Sequence, residues 1–278
     1  MEDISKMKAL RLKKLMAFFL VAAIVCMGLF LFACGNDPSP TPPPPTPAPG
    51  DEYGEVQKEL IDKVAKDSRL EYRATIKNIV QIYDPEARAE ETVFYGASNF
   101  GRWRKMEEDL APYKVQNHAF GGSTDKDLVY WAQYALYPYD PTAVFFQTGS
   151  NDYVLSTAET DDERIKECMD YKKYMFELFH EKLPNAKFIV MSGLILPGRS
   201  EYTEITLKIN EELASLCDEV DYMYFVDAEK FTYDRATDTY ANAKFVADQI
   251  HLTPEALKAW GDGYISPMLA QLNLPKTA

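Results

Sequence analysis

The chain has 278 residues, with 43 acidic against 30 basic side chains and a formal net charge of −13. That balance argues against a body that binds nucleic acid or anionic lipid, because both need clustered Lys and Arg. With 46% hydrophobic residues the chain can bury a sizeable core, and its length suits one large α/β domain.

The amino end reads differently from the rest. Lys6, Lys8, Arg11, Lys13 and Lys14 form a basic start, and an uncharged apolar run of 19 residues follows from Leu15 to Ala33. This is the order of a secretion signal, at about the ~20 residues that span a bilayer. Leu31-Phe32-Ala33-Cys34 resembles a bacterial lipobox, which implies lipidation of Cys34 after cleavage; an uncleaved signal anchor is the alternative. Either tethers the protein outside the cytoplasm, so residues 1–34 are read as a lipoprotein signal peptide. The expected location is the bacterial cell surface or periplasm, with the membrane as partner through the N-terminal lipid anchor. Residues 35–50 carry eight prolines and are read as an extended or disordered linker without chemistry. Beyond residue 34 there are 25 basic against 41 acidic side chains, a formal −16.

Residues 51–90 are expected to form a helical extension, with Val56, Leu60, Val64, Ile76, Ile79 and Val80 at roughly helical spacing. Strands and helices then alternate. The strands are expected at Thr92–Tyr95, Lys114–Ala119, Ala143–Thr148, Lys187–Ser192 and Met223–Val226. The helices are expected at Phe100–Leu110, Asp125–Leu136, Asp161–Leu183 and Glu204–Val220, with a last one capped by Thr253 and begun by Pro254. Such alternation predicts a five-stranded, mostly parallel sheet with helices on both faces, and sites in such sheets lie at the carboxyl ends of the strands.

Three short blocks fall at those ends, and a fourth lies near the carboxyl terminus. Gly96-Ala97-Ser98-Asn99 puts a serine hydroxyl at a strand-to-helix turn, where a nucleophile or an ordinary helix cap can sit. Gly121-Gly122-Ser123 lets the backbone approach a ligand and present an N–H. Gly149-Ser150-Asn151-Asp152 offers an amide donor that does not titrate, or a turn residue. Asp248-Gln249-Ile250-His251 spaces a carboxylate so that it can accept from Nδ1 of the imidazole and leave Nε2 to take a proton. Of the other two histidines, His180 reads as solvated, whereas His118 could line the site or pack. Cys168 and Cys217 could bridge or remain buried thiols, and no pattern points to a metal. Trp103, Tyr130, Trp131 and Tyr153 could stack on sugars, but aromatics at helical spacing are more often core.

The four blocks in this order resemble the SGNH hydrolases, the GDSL esterase/lipase family, over roughly residues 91–270. The resemblance implies a three-layer, flavodoxin-like α/β fold for a hydrolase domain at residues 91–278. It makes Ser98 the nucleophile, Asp248 and His251 the acid and base, and Ser98, Gly122 and Asn151 the oxyanion donors, with no cofactor or metal. Asp227 is the reserve acid, and Asp152 is expected to brace the Asn151 loop. Phe120-Gly121-Gly122-Ser123-Thr124 and Trp103 look like the bacterial branch that acts on acylated carbohydrates or small esters, so a small-molecule or glycan ester is the expected substrate. One departure stands out: Ala97 replaces the aspartate usual before the serine. That exchange is the one sign of a non-catalytic, glycan-binding lipoprotein on the same fold. A membrane lipase would want an apolar lid, and no long apolar loop separates the blocks.

Overall fold

Five apolar runs form the strands of one parallel sheet: β1 Thr92–Gly96, β2 Val115–Asn117, β3 Ala143–Gln147, β4 Lys187–Met191 and β5 Met223–Val226. The computed structural model describes residues 53–277; the basic and apolar start, Cys34 and the proline-rich segment 35–50 lie outside the described residues. The strand order is β2-β1-β3-β4-β5. Every residue of β1 and β3 is buried, as expected of a sheet covered on both faces, where strands need not alternate apolar with polar.

Side chains divide by the two-residue period of a strand. Val93, Tyr95, Val144, Phe146, Phe188 and Val190 enter one core; Phe94, Ala143, Phe145, Ile189 and Met191 enter the other. The first core is closed by helices Asp125–Ala135, Asp161–Lys182 and Thr203–Glu219. Capping boxes start the first two of these: Thr124 with Asp127, and Thr160 with Glu163. The second core is closed by the segment after Ser98 and by the carboxyl-terminal helices Pro254–Trp260 and Ser266–Gln271. Thr253 caps the former through its bond from the Ala256 N–H.

The helices Glu55–Lys66 and Arg73–Ile82 precede β1 and send Leu60, Val64, Ile76 and Ile79 into the first core. The turn between them is held to helix Asp125–Ala135 by Asp67, which accepts from the hydroxyls of Tyr130 (2.7 Å) and Tyr134 (2.9 Å), and by the Arg69–Asp127 ion pair. Tyr72, at the end of this turn, is in the left-handed region (φ 61°) and breaks the run into two helices.

Other departures from the sequence reading have local causes. The expected helix Phe100–Leu110 is two single turns, Ser98–Gly101 and Met106–Asp109. Asn117 Nδ2 donates to the carbonyls of Phe100 (2.7 Å) and Trp103 (3.3 Å), and Trp103 is buried near Trp260 with its Nε1 donating to Asp109. A short hairpin, Tyr233–Asp234 with Thr239–Tyr240, and the helix Ser150–Leu155 had no clear signal in the sequence. His180 is stacked on Tyr222 at 3.6 Å rather than simply solvated. Cys168 and Cys217 are buried free thiols, and burial pushes both up to about 12. Trp103, Trp131 and Tyr153 are core residues.

Gly96 shows how tightly β1 lies against β3. A Cβ there would stand 2.2 Å from the Gln147 carbonyl oxygen, which belongs to the backbone and cannot swing away. Gly96→Ala is therefore expected to cost about 2 kcal/mol or more, read as a lower urea midpoint at unchanged slope; an unchanged midpoint would mean that the sheet yields here.

Candidate active site

Ser98 follows the end of β1 by two residues and opens a single helical turn; Ala97 N–H still bonds to the Gln147 carbonyl of β3 at 2.9 Å. The serine is thus fixed at the carboxyl edge of the sheet. His251 arrives from the far end of the chain, and its Nε2 lies 2.9 Å from Ser98 Oγ. Its Nδ1 lies 2.7 Å from Asp248 Oδ2. The other carboxylate oxygen of Asp248 accepts from the backbone N–H groups of Ile250 (2.8 Å) and His251 (3.0 Å), so the acid also shapes the turn that carries the base. Gln249 completes that turn in the left-handed region at φ 59°.

Partial burial would raise the Asp248 carboxyl, but its bonds from the His251 ring and from both backbone N–H groups outweigh this and hold it below its ordinary value. His251 is displaced downward, chiefly by burial; the bond to Asp248 opposes the shift, and the charges of Arg102 and Arg199 reinforce it. At neutral pH the imidazole is a neutral base, with Nδ1–H given to the carboxylate and Nε2 open to the serine hydroxyl.

The second block abuts the nucleophile: a Cβ on Gly121 would sit 3.6 Å from that of Ser98. Gly122 has φ 83°, where only glycine is unstrained, and a Cβ on it would meet the Tyr72 hydroxyl at 3.4 Å. The extension before β1 therefore borders the site through Tyr72. Asn151 donates from Nδ2 to the Ser123 carbonyl at 2.9 Å, and its Oδ1 accepts from Arg199 Nη2 at 3.1 Å. A guanidinium can only donate, so this contact fixes which way the amide faces and leaves the second Nδ2 hydrogen for a ligand.

Beneath this loop lies a buried charge cluster. Lys172 Nζ bonds to Asp125 Oδ2 at 2.9 Å, Thr148 bonds to the other oxygen of Asp125, and Asp152 Oδ1 accepts from Asp125 N–H at 2.9 Å. A Cβ on Gly149 would lie 2.8 Å from Lys172 Nζ, so the loop rests directly on the ammonium. Burial, then repulsion from Asp125, pushes Asp152 up to about 7.

Of the candidate residues, the structure joins Ser98, His251 and Asp248 by hydrogen bonds, sets Gly121 against Ser98, and bonds Asn151 to the carbonyl of Ser123 next to Gly122. Two other candidates do not join them. Asp227, the reserve acid, accepts from Glu229 N–H at 3.0 Å and serves a turn. His118 packs in the interior against the Ala135 carbonyl at 2.6 Å, with burial pushing it down to about 3. Sequence reasoning missed three supports: Asn99, whose Oδ1 accepts from Leu252 N–H at 3.0 Å; Lys172; and Arg199. Asn99 lay inside a block already singled out, and Arg199 follows a Pro-Gly turn after β4, at the same sheet edge. Lys172 gave no signal, being one lysine in a charged helix.

No protein-family model matches the chain, and no curated protein matches it in sequence. Solved structures do. A Bacteroides fragilis protein assigned as an acylhydrolase aligns with a TM-score of 0.56 and 17% identity, covering 74% of this chain and 95% of its own. A GDSL-like lipase from Bacteroides thetaiotaomicron aligns with a TM-score of 0.52 and 18% identity, covering 73% and 96%. This chain has the SGNH hydrolase fold. The catalytic domain of a Streptococcus pneumoniae peptidoglycan O-acetyltransferase also shares it, with a TM-score of 0.50 and 18% identity over 68% of this chain and 98% of that one.

The charge cluster makes a pH prediction. Asp152 keeps its proton in the folded chain up to about 7, whereas unfolded Asp releases it near ~3.9. Because the folded value is raised, Asp152 lowers stability as pH rises through this window. Asp152→Asn cannot ionise, so its stability relative to wild type should improve as pH is raised from about 4 to about 7. Urea unfolding at several pH values checks this, and a constant difference would contradict it.

Proposed function

We propose that the protein is a serine ester hydrolase acting on short-chain, chiefly acetyl, esters of carbohydrates, tethered outside the cytoplasm by a lipid on Cys34. The observation that carries the reaction is the Ser98–His251–Asp248 relay, with contacts of 2.9 and 2.7 Å at the carboxyl edge of the sheet. The carbohydrate half draws support from the Gly121-Gly122 block and from the use of the same fold by a peptidoglycan O-acetyltransferase. The tether rests on the sequence of residues 1–34.

In this mechanism Ser98 Oγ attacks the ester carbonyl while His251 Nε2 takes its proton. Asp248 keeps the imidazole in the required tautomer and stabilises the imidazolium that forms. The N–H groups of Ser98 and Gly122 and the Asn151 amide receive the oxyanion. His251 then protonates the departing alcohol, and water repeats the sequence on the acyl-enzyme. Ala97 is buried and holds the turn by its backbone, so the usual aspartate is not needed to shape it.

Hydrolysis of para-nitrophenyl acetate tests the reading. Ser98→Ala and His251→Ala should each lose about 10,000-fold or more, and Asn151→Ala about 100- to 1,000-fold in kcat, with circular dichroism unchanged. Wild type no faster than Ser98→Ala would overturn it. Because His251 must be neutral, kcat/KM should fall on acidification with an apparent pKa below the ordinary 6.5; a midpoint above 6.5 would contradict the burial of this imidazole.

A further inference from the structure

Arg199 occupies an unusual position in an acidic chain. It lies in the turn Pro197–Tyr202 after β4, with its own backbone outside helical geometry at φ −137° and ψ 37°. The preceding Gly198 is pressed against the relay: its N–H bonds to the Gln249 carbonyl at 2.8 Å, and a Cβ there would stand 2.6 Å from the Asp248 carbonyl. From that anchor the Arg199 side chain crosses to the oxyanion side. Its Nη1 donates to the carbonyl and the hydroxyl of Ser150, both at 3.0 Å, and its Nη2 to Asn151 Oδ1 at 3.1 Å. Gly198 and Arg199 together therefore link the acid–base turn, through the Gly198 N–H, to the amide donor, through the guanidinium.

All three of those acceptors are neutral. Arg69, Arg88 and Arg235 each meet at least one carboxylate, whereas among the described residues no Asp or Glu forms an ion pair with Arg199. A guanidinium has five N–H donors, and three are engaged, so the Nε–H and one Nη2–H remain. Two donors on one planar group suit a carboxylate. Arg102, one turn after the nucleophile, brings a second positive charge whose field reaches His251 as that of Arg199 does.

We propose that Arg199 makes this site selective for anionic esters by binding a carboxylate on the alcohol half of the substrate. An acetyl group carries no charge, so the anion must belong to the group that carries the ester: a carbohydrate bearing carboxylates, such as a uronic acid polymer. This rests on the serine-esterase reading above. The competing role is a clamp that only orients Asn151, and the two differ in what removal of the charge does to substrate preference.

The test compares para-acetoxybenzoate with its neutral amide, para-acetoxybenzamide. Wild type should favour the anion by about tenfold or more in kcat/KM, as a charge-assisted pair predicts, and added salt should reduce that preference. Arg199→Gln should bring the ratio to about one, and Arg199→Lys should keep part of it. A wild-type ratio near one, or equal losses on both esters in Arg199→Gln, would overturn the proposal and leave Arg199 a clamp. Binding of the same two esters to Ser98→Ala separates this from failure of the esterase reading. Tighter binding of the anion there, with no turnover of either ester or of para-nitrophenyl acetate by wild type, would sink the esterase and support the anion site. Equal binding of the two would overturn the anion site.

Discussion

One buried hydrogen bond joins the two ends of the catalytic arrangement: the Leu252 N–H donates to Asn99 Oδ1 at 3.0 Å. Asn99 follows the nucleophile and Leu252 follows the base, 153 residues further along the chain. Asn99 is almost wholly buried, so a broken bond would leave unpaired polar groups in the interior rather than return them to water. The backbone on either side is equally constrained. Ala97 is tied to β3, and the base turn closes through the Val246 N–H to the His251 carbonyl at 2.9 Å. The 2.9 Å approach of His251 to Ser98 is a consequence of these ties, not of the weak attraction between the two side chains.

The site depends on electrostatics arranged in two layers. Below the Gly149–Asn151 loop, Lys172 is fully buried and answers Asp125 and Asp152; removing such an ammonium would strand two carboxyl groups in the interior. Arg199, by contrast, meets only the neutral acceptors of Ser150 and Asn151. The first positive charge is spent on structure, and the second remains available to a ligand.

Much of this was legible because the physical demands are local. Short apolar runs rich in β-branched and aromatic residues, such as Val144-Phe145-Phe146, favour strands covered on both faces, and their alternation with helical segments pointed to five of them. The four blocks were legible because a nucleophile, close-approaching glycines, an amide and an Asp-x-x-His turn each have a sequence form. Long-range partners have none. Asn117 cutting the Phe100–Leu110 helix short, Tyr72 reaching Gly122 from the extension, and Lys172 lying under Gly149 are all contacts between residues far apart in sequence. Arg199 was hidden for a different reason: its meaning lies in the lack of a carboxylate partner among the described residues, which no local pattern reveals.

If His251 and Asp248 make Ser98 nucleophilic, covalent labelling will find that serine. The chain would be treated with a fluorophosphonate, its intact mass measured, and the modified residue located by peptide mass spectrometry. One adduct is expected, on Ser98, formed far more slowly in His251→Ala. An unmodified chain, or an adduct on another serine that persists in Ser98→Ala, would contradict it.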